Sequence, residues 1–359
     1  MMLILALLAC TSQDAEEELL LPTLDDGWTE IQPGGDTICS RGDEFGFFVH
    51  PGTVNKVVLE FQGGGACWDE LTCGFAGSTF SDDMDWMRDL LDANNFPGIY
   101  DHEDELNPFK DWYHVLVPYC TGDIHWGDST TTYGEGADAI TIEHKGAVNA
   151  RAALDWIEEN FSGPEQILST GCSAGAYGSI MWAPYLQRMF PDARTVQFGD
   201  SGAGVITSGW FAESFPSWNP DGAFPAWIPT LDPATTSYDD LALPDLYQRI
   251  GEHYPDMTLT QFNTILDWNQ AFYYEAMGGG SPEEWSLLMQ GNVDQIVKTT
   301  PNFRYFMGTG DEHCIIPYDD FYSVGADGVQ LTDWLSRQVA GEDVDNVTCE
   351  ECPEIVVGN

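Results

Sequence analysis

Basic residues are scarce in this chain: 12 Lys and Arg stand against 59 Asp and Glu, a formal net charge of −47 over 359 residues. That deficit excludes nucleic acid and anionic membrane surfaces as partners, since both are held by clustered cations. Long apolar runs are missing too. Met1 to Ala9 is almost wholly apolar but far too short to span a bilayer, and a mean hydropathy of −0.22 argues against an integral membrane protein. Only seven histidines occur, so chemistry that needs imidazole has few places to happen. No internal repeat or long low-complexity segment appears. Asp82-Asp83-Met84-Asp85 and Asp319-Asp320 lack a calcium-loop spacing. The acidity therefore reads as a solvated surface suited to a saline or cation-rich medium, and no metal or cofactor is expected.

What the chain does have is 43% hydrophobic and 13% aromatic residues, enough for a sizeable core. We expect one large α/β domain with insertions rather than two average domains. Leu7-Leu8-Ala9-Cys10 resembles a bacterial lipobox, although no Lys or Arg precedes the apolar run. The expected layout is a signal peptide over 1–9, a lipidated Cys10, an acidic tether over 10–26 and a single domain over 27–359. The protein is then exported, lipid-anchored at a cell envelope or otherwise secreted, and touches membrane only through Cys10. The other eight cysteines are even in number, as disulfides require. Cys67 and Cys73 flank a short loop and Cys349 and Cys352 form a tight pair, so both are candidate local bridges; a zinc site at the latter lacks a second ligand pair.

The periodicity predicts strands over Glu44–His50 and Lys56–Gln62, paired antiparallel, and another over Asp111–Pro118. A helix is expected over Ala139–Phe161, a short strand at Ile167-Leu168, a helix from Ser179, and a strand over Thr195–Phe198. Residues 205–255, rich in Trp, Pro, Phe and Asp, read as a lid-like insertion. Thr258–Leu266 and Phe303–Met307 are later strands; Pro282–Val297 and Gln330–Val339 are helices. This alternation points to a three-layer α/β sandwich around a mainly parallel sheet.

Two stretches carry chemistry. Gly171-Cys172-Ser173-Ala174-Gly175 joins strand to helix, the layout of a nucleophile elbow that exposes a serine hydroxyl on a strained turn. Gly63-Gly64-Gly65 follows a buried strand, where three glycines have no packing value and serve backbone exposure, as an oxyanion hole needs. A phosphate loop would require Lys-Ser/Thr next, and neither follows. A serine nucleophile needs a histidine base and an acid behind it. In the order Ser, acid, His, only His253 and His313 lie after Ser173; His313, in a loop past a late strand, sits where the base belongs. Asp200 and Asp267 each close a strand and either satisfies the rule for the acid, with Asp267 on the later strand.

These motifs occur together with Cys67 and Cys73, Tyr119-Cys120-x-Gly122, Gly127-Asp128, Asp200-Ser201-Gly202 and Leu266-Asp267-x-x-Gln270. In that order, over roughly Phe45 to Tyr322, they resemble the pectin acetylesterase family, which takes in Notum-like serine carboxylesterases. The resemblance implies an α/β-hydrolase-like serine carboxylesterase acting on O-acyl groups, with Ser173 as nucleophile, Asp267 as acid and His313 as base by order and context. It also implies oxyanion donors at Gly64, Gly65 and Ala174, and a structural role for Asp200. Plant members carry a bulky aromatic before the first motif cysteine where this chain has Ala66, so the acyl pocket is expected to differ. The expected substrate is an O-acetylated extracellular carbohydrate. The alternatives are a long-acyl deacylase and a non-catalytic glycan-binding surface lipoprotein.

Overall fold

The run Lys56–Phe61 is apolar but for its lysine and Glu60, and alternate residues are buried against opposite faces: Val57, Leu59 and Phe61 on one, Val58 on the other. A strand covered on both sides belongs in the middle of a parallel sheet, and that is where the computed structural model of the chain places it. The structure describes residues 20–349 except 208, 239 and 240. The expected signal segment 1–9, Cys10 and Cys352 lie outside the described residues.

In chain order the elements are β1 (Thr29–Ile31), β2 (Phe47–His50), β3 (Lys56–Phe61), α1 (Glu70–Gly74), α2 (Asp85–Ala93), β4 (Tyr113–Val117), β5 (Ser129–Tyr133), β6 (Ile140–His144), α3 (Gly146–Asn160) and β7 (Gln166–Cys172). There follow α4 (Ala174–Met189), β8 (Arg194–Asp200), α5 (Trp210–Trp218), α6 (Leu243–His253), β9 (Thr258–Thr264), α7 (Trp268–Ala276), α8 (Pro282–Thr299), β10 (Phe303–Gly308) and α9 (Leu331–Val339). Eight strands make one sheet in the order β1-β2-β4-β3-β7-β8-β9-β10. From β4 to β10 all neighbours are parallel, and β1 and β2 add an antiparallel edge. One core holds α3, α4, α6 and α8 on one face; a second holds α9 and Met87 of α2 on the other. This is the α/β-hydrolase-like three-layer sandwich.

Two local expectations are corrected. β2 and β3 do not pair: β4 lies between them, hydrogen-bonded to both. Ala139–Phe161 is not one helix, because Ile140–His144 is a strand paired with Ser129–Tyr133, and the helix begins only at Gly146. Within 205–255, α5 packs on β5, whereas α6 is the crossover from β8 to β9 and packs on α8. Among the described residues no helix is long and apolar enough to cross a membrane.

Candidate active site

β7 and α4 meet at Ser173, whose φ of 55° and ψ of −120° depart from both strand and helix. Non-glycine residues adopt positive φ only where the surroundings enforce it. Here the Ser173 N–H donates to the Asp200 carbonyl at 2.8 Å, and the next turn closes on the Ser173 carbonyl through Ala176 N–H at 2.9 Å. The flanking glycines act by close approach: a Cβ at Gly175 would run into the Phe61 carbonyl, and one at Gly171 into both Phe61 and Gly175.

Asp267 caps the N-terminus of α7. Its Oδ1 accepts from the N–H groups of Asn269 and Gln270 at 3.0 and 2.9 Å, and its Oδ2 accepts from the Gln270 side chain at 2.9 Å. A buried carboxylate needs such donors to persist as an anion. The same carboxylate faces His313 Nδ1, at 3.0 Å from Oδ1 and 2.8 Å from Oδ2. That fixes the imidazole tautomer and leaves Nε2 for a second partner. His313 and Ser173 line one cleft. His253, the other histidine after Ser173, lies at the end of α6 beside Tyr254 and lines no part of that cleft.

Asp200 does different work. It is fully buried, and its Oδ2 accepts from the N–H groups of Ile315 and Ile316 at 2.6 and 2.9 Å, while the neighbouring Ser201 hydroxyl accepts from Cys314 N–H at 3.0 Å. The end of β8 thus grips the loop that carries His313. Burial pushes the Asp200 carboxyl up to about 6. A disulfide between Cys172, the last residue of β7, and Cys314 ties the serine turn covalently to the same His313 loop.

Across the cleft, Gly64 is packed so closely on the Tyr119 ring that a Cβ would clash with it, and Gly65 has a φ of +73° that only glycine adopts freely. The N–H groups of Gly64, Gly65 and Ala174 have no acceptor among the described residues. The glycine loop is braced by Tyr273 of α7, which donates to the Thr79 carbonyl at 2.5 Å, and by the Cys67–Cys73 disulfide. A third disulfide joins Cys39 to Cys120 in the loop after β4. In that loop Ile124 and His125 both take positive φ, 50° and 64°, held by Asp123 and by the Tyr119 hydroxyl, which accepts from Ile124 N–H at 2.8 Å. Cys349 is disulfide-bonded; its expected partner Cys352 lies outside the described residues.

Ser173 borders two spaces. One, of about 60 Å³, is walled by Ala66, Trp68, Ile124, Ala174, Val205 and Met277 among others. The other, of about 320 Å³, is the polar cleft that also holds Gly64, His313, Glu60, Tyr100, Trp86 and Tyr318. A profile of the Pectinacetylesterase family matches residues 31–215, more than half of the chain, and includes the glycine loop and the serine turn. The chain belongs to the pectinacetylesterase family. It is 28% identical over 173 residues to pectin acetylesterase 11 of Arabidopsis thaliana, which covers 45% of this chain and 41% of the plant protein. It is 26% identical over 194 residues to palmitoleoyl-protein carboxylesterase NOTUM of Drosophila melanogaster, covering 50% of this chain and 27% of that one. The chain therefore spans well under half the length of these two relatives. The solved structure of the Wnt deacylase Notum from Drosophila superposes with a TM-score of 0.63 at 18% identity, over 91% of this chain and 99% of that one. At that identity the likeness is one of fold, and it reaches well beyond the residues 31–215 matched by the family profile.

Sequence reasoning did not assign the Cys172–Cys314 bridge, the hydrogen bond from Gln270 to Asp267, or the aromatic residues Trp86 and Tyr318 in the cleft. The first had a signal: the two cysteines flank Ser173 and His313 directly. The last had none, since an isolated Trp or Tyr in a polar segment looks like any surface aromatic.

Proposed function

We propose that the protein is a serine carboxylesterase that removes short O-acyl groups, O-acetyl above all, from a carbohydrate. The observation that carries this reading is the position of Ser173 between a small apolar cavity and a larger polar cleft. An ester has those two parts, an acyl group and an alcohol. His313 Nε2 takes the Ser173 proton, the alkoxide attacks the ester carbonyl, and the N–H groups of Gly64, Gly65 and Ala174 receive the developing oxyanion; each donor is worth about 3 kcal/mol of barrier. Collapse breaks the bond to the alcohol, which leaves with the proton from His313. Water, deprotonated by the same imidazole, then releases the acid and restores Ser173. Asp267 holds the imidazole in the productive tautomer throughout.

The apolar space beside Ser173, with Ala66, Val205 and Met277 among its walls, is the smaller of the two and favours a short acyl group over the long chain named for the palmitoleoyl-protein carboxylesterase relatives. A family that includes a zebrafish protein named inactive, 27% identical over 154 residues, also makes turnover a matter for measurement. The three disulfides around the site support export to an oxidising compartment, with anchoring through Cys10 as its expected form. Wild type and Ser173→Ala are to be compared on p-nitrophenyl acetate, with fluorophosphonate labelling of both. A large loss of rate and of labelling is expected in the variant; equal rates would sink the reading. Rates across acyl chains from C2 to C16 are expected to peak at the short end.

A further inference from the structure

The alcohol side of the site has a composition of its own. Trp86 projects from the first turn of α2 and stays 37% exposed; Tyr318, just past the His313 loop, stays 49% exposed. Both line the cleft that contains Ser173 and His313. Trp86 is not loose: its ring meets the buried Tyr100 edge-on, with centroids 5.6 Å apart. Large aromatics kept partly in water at the mouth of a cleft leave part of their surface unpacked, and their faces suit the C–H face of a sugar ring.

Between them the lining is polar and almost free of charge. Ser78, Ser81, Gln62 and Asn269 face the cleft. The hydroxyls of Ser78 and Ser81 and the side-chain amide of Asn269 make no hydrogen bond among the described residues, so they are free to meet hydroxyl groups. No Lys or Arg lines the cleft. Its one carboxyl, Glu60, is buried against Tyr100 and His114. A uronate would find no cation to pair with, inside a molecule of net charge −47.

We infer that Trp86 and Tyr318 form the platform of a binding site for an uncharged pyranose, so that the glycan accepted is a neutral acetylated polysaccharide rather than an acidic one. This rests on the esterase reading for its acyl chemistry, but the binding does not. The test compares wild type, Trp86→Ala and Tyr318→Ala on acetylated xylo-oligosaccharide, acetylated oligogalacturonate and p-nitrophenyl acetate, in low and high salt. In each variant the ratio of kcat/KM for the xylo-oligosaccharide to that for p-nitrophenyl acetate is expected to fall at least tenfold, through KM. Wild type is expected to favour the xylo-oligosaccharide over the galacturonate at least tenfold in low salt, with the gap narrowing as salt screens the charge. A ratio within twofold of wild type in both variants overturns the platform, and equal use of the two glycans in low salt overturns its neutrality. Titration of deacetylated xylotetraose, followed by isothermal calorimetry, needs no turnover. Binding lost in Trp86→Ala supports the platform even if Ser173→Ala shows that the esterase reading has failed, and undiminished binding counts against it.

Discussion

The disulfide between Cys172 and Cys314 joins the residue before Ser173 to the residue after His313, across 142 positions of sequence. Ser173 and His313, the proposed nucleophile and base, sit in loops at the ends of β7 and β10, and a loop is the least constrained part of a fold. The bridge makes their separation a covalent matter. In the chain-entropy picture, closing a loop of this length contributes roughly 5 kcal/mol to stability. For Cys172→Ser with Cys314→Ser we expect kcat on p-nitrophenyl acetate to drop about tenfold or more with KM within about threefold, and the melting temperature to fall. A kcat equal to wild type, measured below the melting range, would reduce the bridge to a stabiliser.

Asp267 is held by two backbone donors and by Gln270 before it reaches His313. Asp267→Asn presents an amide in place of the carboxylate and favours the wrong tautomer, so kcat should drop on the order of 10³ to 10⁴. Gln270→Ala removes one hydrogen bond to the carboxylate, worth about 1.5 to 3 kcal/mol, and should cost about tenfold. Steady-state kinetics on p-nitrophenyl acetate read both, and a larger loss in Gln270→Ala than in Asp267→Asn would contradict the assigned roles. Asp200→Asn should act mainly on stability, through the Ile315 and Ile316 N–H groups it holds.

The glycine loop permits a sharper test. A methyl group at Gly64 would meet the Tyr119 ring, whereas a methyl group at Gly77, which lines the same cleft, meets nothing within 4 Å. Gly77 has a φ of +78°, so Gly77→Ala carries backbone strain alone. Gly64→Ala displaces the donor loop as well, and we expect a loss of 10² or more in kcat against a small loss for Gly77→Ala. Equal losses would remove the oxyanion role of this loop.

Buried titratable groups set the pH dependence of stability. Burial lowers His50, His125 and His144 to about 4, His114 to about 3 and His102 to about 2. The unfolded chain takes protons on these residues near pH 6.5, which the folded chain refuses, so stability falls as pH drops below 6.5. Burial acts on Glu60 in the other direction, raising its carboxyl to about 8. The folded chain then keeps a proton that the unfolded chain sheds near 4.5, and stability falls as pH rises toward 8. Asp123, also raised to about 6 by burial, and Asp200 act likewise at lower pH. Stability is expected to peak near pH 6.5. Glu60→Gln should remove the decline between pH 6.5 and 8, about 2 kcal/mol, as seen by urea denaturation; an unchanged slope would show that another group is responsible.

The strands of the sheet and the serine turn could be read from the chain because each depends on local pattern. Apolar runs such as Val57 to Leu59 mark strands wherever they end up in the sheet, and the serine turn declares itself through glycines that nothing else could replace. Strand order is a different kind of information. β4 enters between β2 and β3 because the crossover to a parallel strand returns past its neighbour, and nothing in the residues of β2 records that. Ile140–His144 misled for another reason: its alternation of Ile140 and Ile142 with Thr141 and Glu143 lasts only five residues before the helix begins, and its partner Ser129–Tyr133 is polar except for the tyrosine and does not announce a hairpin. The Cys172–Cys314 pairing depends on three-dimensional proximity over a long separation: the places of the two cysteines beside Ser173 and His313 mark them, but spacing alone does not pair them.

Ser173 stands at the border of a narrow apolar cavity and an open polar cleft, and this arrangement dictates an order of departures. In the proposed acyl transfer, an acyl group carried on Ser173 toward the cavity would meet water from the cleft side, the direction in which the alcohol leaves. On that reading the alcohol must clear the cleft before hydrolysis proceeds; until it does, its own hydroxyl stands in the place of that water and the transfer runs backward.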